Sequence, residues 1–221
     1  VLPPIQLGAN RVLGSELHMP APAAERPAGR PWRIGWFGVL RCRTSLGLLA
    51  RLVHRFPGDI EVIMRGRPAY DVVPDFDAIV AATPGLSFLG PYDRVTDLAR
   101  IYADVDYVWA IDFYEAGANS TWLLPNRLYE GGAFGAIPIA LRTTQTGAWL
   151  AERQVGICLD EPVEPALANF VVGLDAARHA AARQAMRELP FTAFLCGPAG
   201  CRDFAAAIAA PRTWPGMRKA T

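Results

Sequence analysis

The stretch Asn126-Arg127-Leu128-Tyr129-Glu130-Gly131-Gly132-Ala133-Phe134-Gly135-Ala136-Ile137-Pro138-Ile139-Ala140 decides the fold. It reads as a short helix, a glycine stop and a buried strand. Pro125 stands just inside the start of the helix, where its missing N–H costs nothing. Gly135 stands where a left-handed cap is wanted. Asn126 and Glu130 are four residues apart and share one helix face, with Arg127 close by. The strand over 137–140 is apolar at every position, as a strand covered on both faces must be. A carboxylate on a helix that feeds such a strand is well placed to accept hydrogen bonds from sugar hydroxyls.

The same rhythm runs outward in both directions. Trp32 to Gly38 is an apolar strand that ends in glycine. A helix capped by Thr44 or Ser45 follows, with Leu46, Leu49, Leu52, Val53 and Phe56 on the helical period and Pro57-Gly58 as its stop. Ile60 to Met64 is a second strand, ending near Gly66. A helix is predicted over 75–82, a strand over 86–90, a helix over 93–102 and a strand over 107–111. Downstream come a helix over 143–152, a strand over 155–159 and an alanine-rich helical tail from Glu164 to Ala210, broken near Pro190 and Gly197-Pro198. Alternating strands and helices, with solidly apolar strands, predict an α/β fold: a Rossmann-like doubly wound parallel sheet with helices on both faces. Ligands of such folds bind beyond the carboxyl ends of the strands. Residues 1–31, rich in Pro, Ala and Gly, read as a linker, 32–175 as the binding domain and 176–221 as a helical tail. The chain begins at Val1, and we expect it to be the downstream part of a longer protein.

Composition narrows the function. With 221 residues and 52% hydrophobic content, the chain can bury a core without staples. A net charge of +1 implies no polyanionic partner and no nucleic acid. No apolar run approaches the ~20 residues of a membrane span. Cys42, Cys158, Cys196 and Cys201 lack zinc or redox spacing, which suits reduced thiols in a cytoplasmic protein. His18, His54 and His179 are isolated, and no metal cluster, P-loop, dinucleotide fingerprint or nucleophile elbow is present.

Three constellations carry chemistry. The turn from Gly38 through Arg41 and Arg43 to Thr44 and Ser45 joins a strand to a helix N-terminus, whose free N–H groups and positive dipole end attract phosphate. Arg41 and Arg43 would add charge-assisted bonds to a diphosphate. A solvated basic loop explains the same residues as well. The second is the helix carrying Asn126, Arg127 and Glu130. Its apolar surroundings predict a buried glutamate, which needs a partner; a purely structural pairing with Arg127 is the alternative. The third is Asp112 to Ser120, with Asp112, Glu115 and Asn119, past the carboxyl end of the fourth strand. It suits either a ligand crevice or an ordinary turn. Trp122 reads as packing, and Asp104 and Asp106 as turn residues at the far end.

Three pieces in order carry a resemblance: the strand–glycine–basic loop–helix over 34–56, the Leu-Ser-Phe-Leu-Gly-Pro-Tyr segment from Leu86 to Tyr92, and the Glu130 helix running into Ile-Pro-Ile-Ala. Over roughly 32–175 the chain resembles the C-terminal, donor-binding half of retaining GT-B glycosyltransferases, and among them the succinoglycan-type exopolysaccharide enzymes. The resemblance implies a cytoplasmic enzyme, also placed peripherally at the inner face of the membrane. It would transfer a sugar from a nucleotide donor, often UDP-linked, to a saccharide or lipid-linked acceptor, with no metal or other cofactor. It implies that Arg41 and Arg43 hold the diphosphate, that Glu130 binds the ribose, and that Pro91 and Tyr92 meet the nucleobase. Many relatives carry lysine in the basic loop, where this chain has only arginines. Many also carry a second glutamate eight positions before the first, near the donor sugar. Position 122 here is Trp, and Asp112, Glu115 or Asn119 would have to stand in. The acceptor site of such enzymes comes from an N-terminal domain absent from this chain, so the chain alone should transfer little, and its uncovered face could pair two copies. Two alternatives compete: a nucleotide-sugar epimerase of the same architecture, disfavoured by the lack of a loop histidine, and a non-catalytic nucleotide-sugar-binding or regulatory module.

Overall fold

The computed structural model describes residues 12–13, 29–196 and 198–209. The linker expected over 1–31 and the end of the tail beyond 209 lie mostly outside the described residues. Val12–Leu13 pairs in parallel with Leu195–Cys196.

The body is a six-stranded, wholly parallel sheet. Its strands are β1 (Trp32–Leu40), β2 (Ile60–Pro68), β3 (Leu86–Phe88), β4 (Tyr107–Trp109), β5 (Ile137–Leu141) and β6 (Ile157–Leu159), in spatial order β3-β2-β1-β4-β5-β6. The expected doubly wound order is thus present, and the strand sequence reverses between β1 and β4. Every residue of β4 and β5 is buried, which explains why these segments carry no polar alternation. The helices are α1 (Arg43–Arg55), α2 (Phe76–Ala82), α3 (Leu98–Ala103), α4 (Asn119–Trp122), α5 (Asn126–Ala133), α6 (Gln145–Arg153), α7 (Val163–Val172), α8 (Ala176–Glu188) and α9 (Pro198–Ala209). Trp36, Trp109, Tyr102, Tyr107 and Phe37 are the bulkiest fully buried side chains.

Several local readings need correction. Cys42, not Thr44 or Ser45, caps α1: its sulfur accepts the Ser45 N–H at 3.3 Å and also the Phe113 N–H at 3.2 Å, tying the loop after β4 to the helix start. Pro125 occupies the cap of α5 rather than its first turn. The helix expected from position 93 starts only at Leu98, because Asp93 Oδ1 accepts the Val95 and Thr96 N–H groups and holds a turn there. β2 does not stop near Gly66 but runs through it to Pro68. Gly66 lies opposite Gly38, both at positive φ (+129° and +112°), and a Cβ on Gly66 would sit 1.9 Å from the Gly38 carbonyl oxygen. Only glycine permits that approach.

α5 ends as its sequence predicts. Gly135 has φ +77°, its N–H donates to the Gly132 carbonyl, and the Ala136 N–H donates to that of Gly131 at 2.9 Å. This is a Schellman closure. The two preceding glycines serve packing instead. A Cβ on Gly131 would touch Val108 and Tyr102, and one on Gly132 would lie 2.1 Å from Phe194.

Helices of the tail pack on this domain. α7 packs beside α1, where Arg51 Nε pairs with Glu164 at 3.0 Å, and α8 packs on β5. His179 of α8 is not isolated: it is buried, with Nε2 3.5 Å from Asp106 Oδ1 and its ring 5.0 Å from that of Trp32. Asp106, read as a turn residue, is buried and accepts the Arg33 N–H at 2.8 Å.

Candidate functional site

A cleft of about 320 Å³ opens at the carboxyl ends of β1 and β4, where the strand order reverses. That is the place where open parallel sheets hold ligands, and the volume lies at the small end of the range for ligand pockets. β1 supplies Phe37, Gly38, Val39 and the following Arg41. The segment after β4 supplies Ala110, Ile111 and Asp112, and α4 and the turn after it Ser120 and Leu123. Tyr92 and Arg94 come from the loop after β3, Asn126, Arg127 and Glu130 from α5, and Thr144 and Thr146 from the start of α6. No side chain stands at Gly38, and a Cβ there would meet open space.

Glu130 is the most deeply set charge in this cleft, with only 3% of its side chain exposed. Arg94 Nε donates to its Oε1 at 2.9 Å and the Tyr102 hydroxyl to its Oε2 at 3.2 Å. The partner is therefore Arg94 and not Arg127. Arg127 instead donates from Nη2 to the Ile111 carbonyl at 3.1 Å, leaving Nε buried without a partner among the described residues. Burial pulls the Arg127 pKa down, and the nearby Asp112 carboxylate opposes the shift. A guanidinium keeps its charge under such a perturbation. Burial, then the Glu130 charge, pushes the Tyr92 phenol up to about 12. The same two causes, in the same order, raise Tyr102 well above the usual tyrosine value. Both phenols therefore stay protonated at neutral pH, and that of Tyr102 donates to the carboxylate.

Arg41 lies across the cleft mouth. Its Nη2 is 3.6 Å from Asp112 Oδ2, too long for a hydrogen bond, and its guanidinium stacks over the Tyr114 ring at 4.6 Å. The lining thus sets three guanidiniums (Arg41, Arg94, Arg127) against two carboxylates (Asp112, Glu130). An anionic ligand would complement that excess positive charge.

Of the residues singled out from sequence, the fold brings Gly38, Arg41, Tyr92, Asp112, Asn126, Arg127 and Glu130 together in one cleft. Others fall outside its lining. Arg43 is exposed and paired with Asp75, Nη1 to Oδ2 at 3.2 Å, holding that carboxyl below its usual pKa. Thr44 is exposed, and Ser45 is buried under the helix start. Pro91 is exposed, and Asn119, the exposed first residue of α4, is not among the lining residues. Trp122 does not pack: it is 65% exposed. Sequence reasoning missed Arg94, Thr144 and Thr146. The threonines had a signal, because Thr144 caps α6 through the Gly147 N–H at 3.2 Å just beyond the carboxyl end of β5. Arg94 had none, since its meeting with Glu130 spans 36 positions. Among the described residues there is no group of three or more His, Cys, Asp or Glu that could hold a metal ion. No described helix is long and apolar enough to cross a membrane.

No family model matches the chain. It is 51% identical over 140 residues to the succinoglycan biosynthesis protein ExoL of Rhizobium meliloti (strain 1021). That match covers 63% of the chain and 35% of the relative, so the chain spans about a third of that protein's length. Among solved structures it is similar to Anabaena HepE in complex with UDP-glucose, with a TM-score of 0.57 at 15% identity over 80% of this chain and 48% of that one. It is also similar to the C-terminal domain of a group 1 glycosyl transferase (LpcC) from Francisella tularensis, with a TM-score of 0.51 at 16% identity over 73% of this chain and 83% of that one. In homology and in fold the resemblance read from the sequence is borne out: the chain is a homologue of a succinoglycan biosynthesis protein, on the Rossmann-like fold of one half of a GT-B glycosyltransferase.

Proposed function

We propose that this chain is the donor-binding half of a glycosyltransferase that builds an exopolysaccharide. It takes a nucleotide-sugar, UDP-linked in our reading, and serves transfer of the sugar to a saccharide or lipid-linked acceptor, with retention at the anomeric carbon. The observation that carries the proposal is the convergence of buried Glu130 with Arg41 and Arg127 in a cleft at the switch point of the sheet. The 51% identity to a succinoglycan biosynthesis protein supports the polysaccharide context, and the UDP-glucose held by HepE supports the donor class.

In this reading Glu130 accepts hydrogen bonds from the ribose hydroxyls. Two of its lone-pair sites remain beyond those taken by Arg94 and Tyr102. Tyr92 lies beside the base. Arg41 and Arg127 face the diphosphate and stabilise the charge that grows on it as the glycosidic bond breaks. This reading assigns no role to a metal. Arg43, bound to Asp75, is left out of the role first given to it. The acceptor site, and with it the rest of the catalytic cleft, belongs to the remaining two thirds of a protein of the relative's length, which also would set any contact with the inner face of the membrane.

Calorimetric titration with UDP, GDP, ADP and UDP-glucose tests the reading. Selective binding of one nucleotide, lost in Arg41→Ala, supports it. Equal, weak binding of all four, unchanged by the substitution, refutes it.

A further inference from the structure

Glu130 is gripped at both of its oxygens. Arg94 Nε donates to Oε1 at 2.9 Å, and the Tyr102 hydroxyl donates to Oε2 at 3.2 Å. One hydrogen bond alone would let the carboxylate swivel about its last torsion, which is broad. Two, one on each oxygen, fix its plane. Each oxygen then keeps an acceptor site. A carboxylate held in that way can take both vicinal hydroxyls of a ribose, one on each oxygen.

The two grips differ in kind. Tyr102 is buried and fixed by its packing, with its ring 5.1 Å from that of Phe37 and stacked at 6.1 Å on that of Phe134. Arg94 fills no core: its side chain is 45% exposed, and it lines the cleft. Its backbone is nevertheless braced on both sides. Asp93 Oδ1 accepts the Val95 and Thr96 N–H groups at 2.8 and 2.9 Å, and Asp97 Oδ2 accepts the Asp93 N–H at 2.9 Å. A half-exposed cation adds little stability through such a pair. What it does control is where the carboxylate points. Resting on the donor-site reading of the cleft, we infer that Arg94 is a positioning residue for ribose recognition. It holds the Glu130 carboxylate so that both oxygens meet the ribose diol, and so makes the site select ribonucleotides over 2′-deoxyribonucleotides. Charge alone would act differently. A guanidinium that only attracted the diphosphate would favour both kinds of nucleotide equally, since their phosphates are the same.

The test is calorimetric titration of UDP, GDP and ADP, and of their 2′-deoxy forms, into wild type, Arg94→Met and Arg94→Lys. Methionine keeps an unbranched stem without charge or donors, and lysine keeps a cationic donor. Urea denaturation checks that both variants fold. Wild type should prefer its best ribonucleotide over the 2′-deoxy form by about tenfold, because the analogue leaves a buried acceptor unpaired. In Arg94→Met that preference should shrink to about twofold or less, and in Arg94→Lys it should return in part. A preference kept in full by Arg94→Met overturns the inference, whether or not affinity falls as a whole, because Arg94 would then act as charge alone. Tighter ribonucleotide binding by Arg94→Met overturns it too, since the pair would then be a plug that the ribose must displace. Two further results would fall on wild type alone and are thereby distinct from a failure of Arg94. Nucleotide binding without preference for ribose would remove Glu130 as the ribose acceptor, and binding of none of these nucleotides would sink the donor-site reading; either takes this inference with it.

Discussion

At the scale of single residues, Glu130 links stability to binding, and the two can be separated. Its pairing with Arg94 contributes little, because Arg94 is 45% exposed. The Tyr102 hydroxyl is different: it is buried and has Glu130 as its acceptor. Glu130→Ala should therefore cost about 1–3 kcal/mol in urea denaturation by orphaning that hydroxyl. Glu130→Gln keeps an acceptor and should cost less than half as much, yet weaken nucleotide binding as strongly as the alanine variant. A second residue gives a pH signature. Tyr92 is raised to about 12 in the folded state from an ordinary value of 10.0. For a raised pKa the unfolded chain releases its proton first. The stabilisation is thus complete below pH 10 and is lost as pH climbs from 10 toward 12. Tyr92→Phe should flatten the loss of stability in that window, with no change near neutrality. An equally steep decline in the variant would show that Tyr92 is not the cause. Neither effect was readable from sequence, because Glu130 meets Arg94 and Tyr102 only through the loop after β3 and α3, 36 and 28 positions away.

At the scale of elements, the sequence was most legible where local chemistry and global fold agree. The Gly135 closure of α5 and the apolar strands β4 and β5 follow from residue type alone, since neither depends on distant partners. Boundaries failed where a side chain outcompeted a helix, as at Asp93, or where a sulfur replaced a hydroxyl as cap, as at Cys42. Gly66 shows a third kind of miss. Its meaning lies in the facing Gly38 on another strand, and one strand cannot reveal it. Gly66→Ala adds both a positive-φ strain and a clash with backbone, so it should cost about 2–4 kcal/mol. The pairing of β1 with β2 sets where Gly38 and Arg41 emerge, so the same variant should weaken nucleotide binding even under conditions where it remains folded. Wild-type affinity in folded Gly66→Ala would show that the close approach shapes the sheet but not the site.

At the scale of the whole molecule, net charge said little, because +1 overall conceals three guanidiniums gathered at one end of the sheet. That concentration of charge predicts salt-sensitive binding. UDP affinity should fall several-fold as ionic strength rises from ~10 mM to ~1 M, over which the screening length shrinks from about 30 Å to about 3 Å. Salt-independent affinity would mean that the base and ribose, not the diphosphate, dominate recognition. The chain's match to a third of its relative's length has a consequence as well. On the proposed reading, this chain should bind a nucleotide while transferring sugar at a small fraction of the rate of a full-length protein. The central claim is that Arg41, Arg127 and Glu130 form one nucleotide-diphosphate site. Calorimetric titration of UDP into wild type, Arg41→Ala and Glu130→Gln addresses it most directly. The account predicts saturable one-to-one binding that each substitution weakens about tenfold or more. Binding that survives both substitutions unchanged would place the nucleotide elsewhere and contradict it.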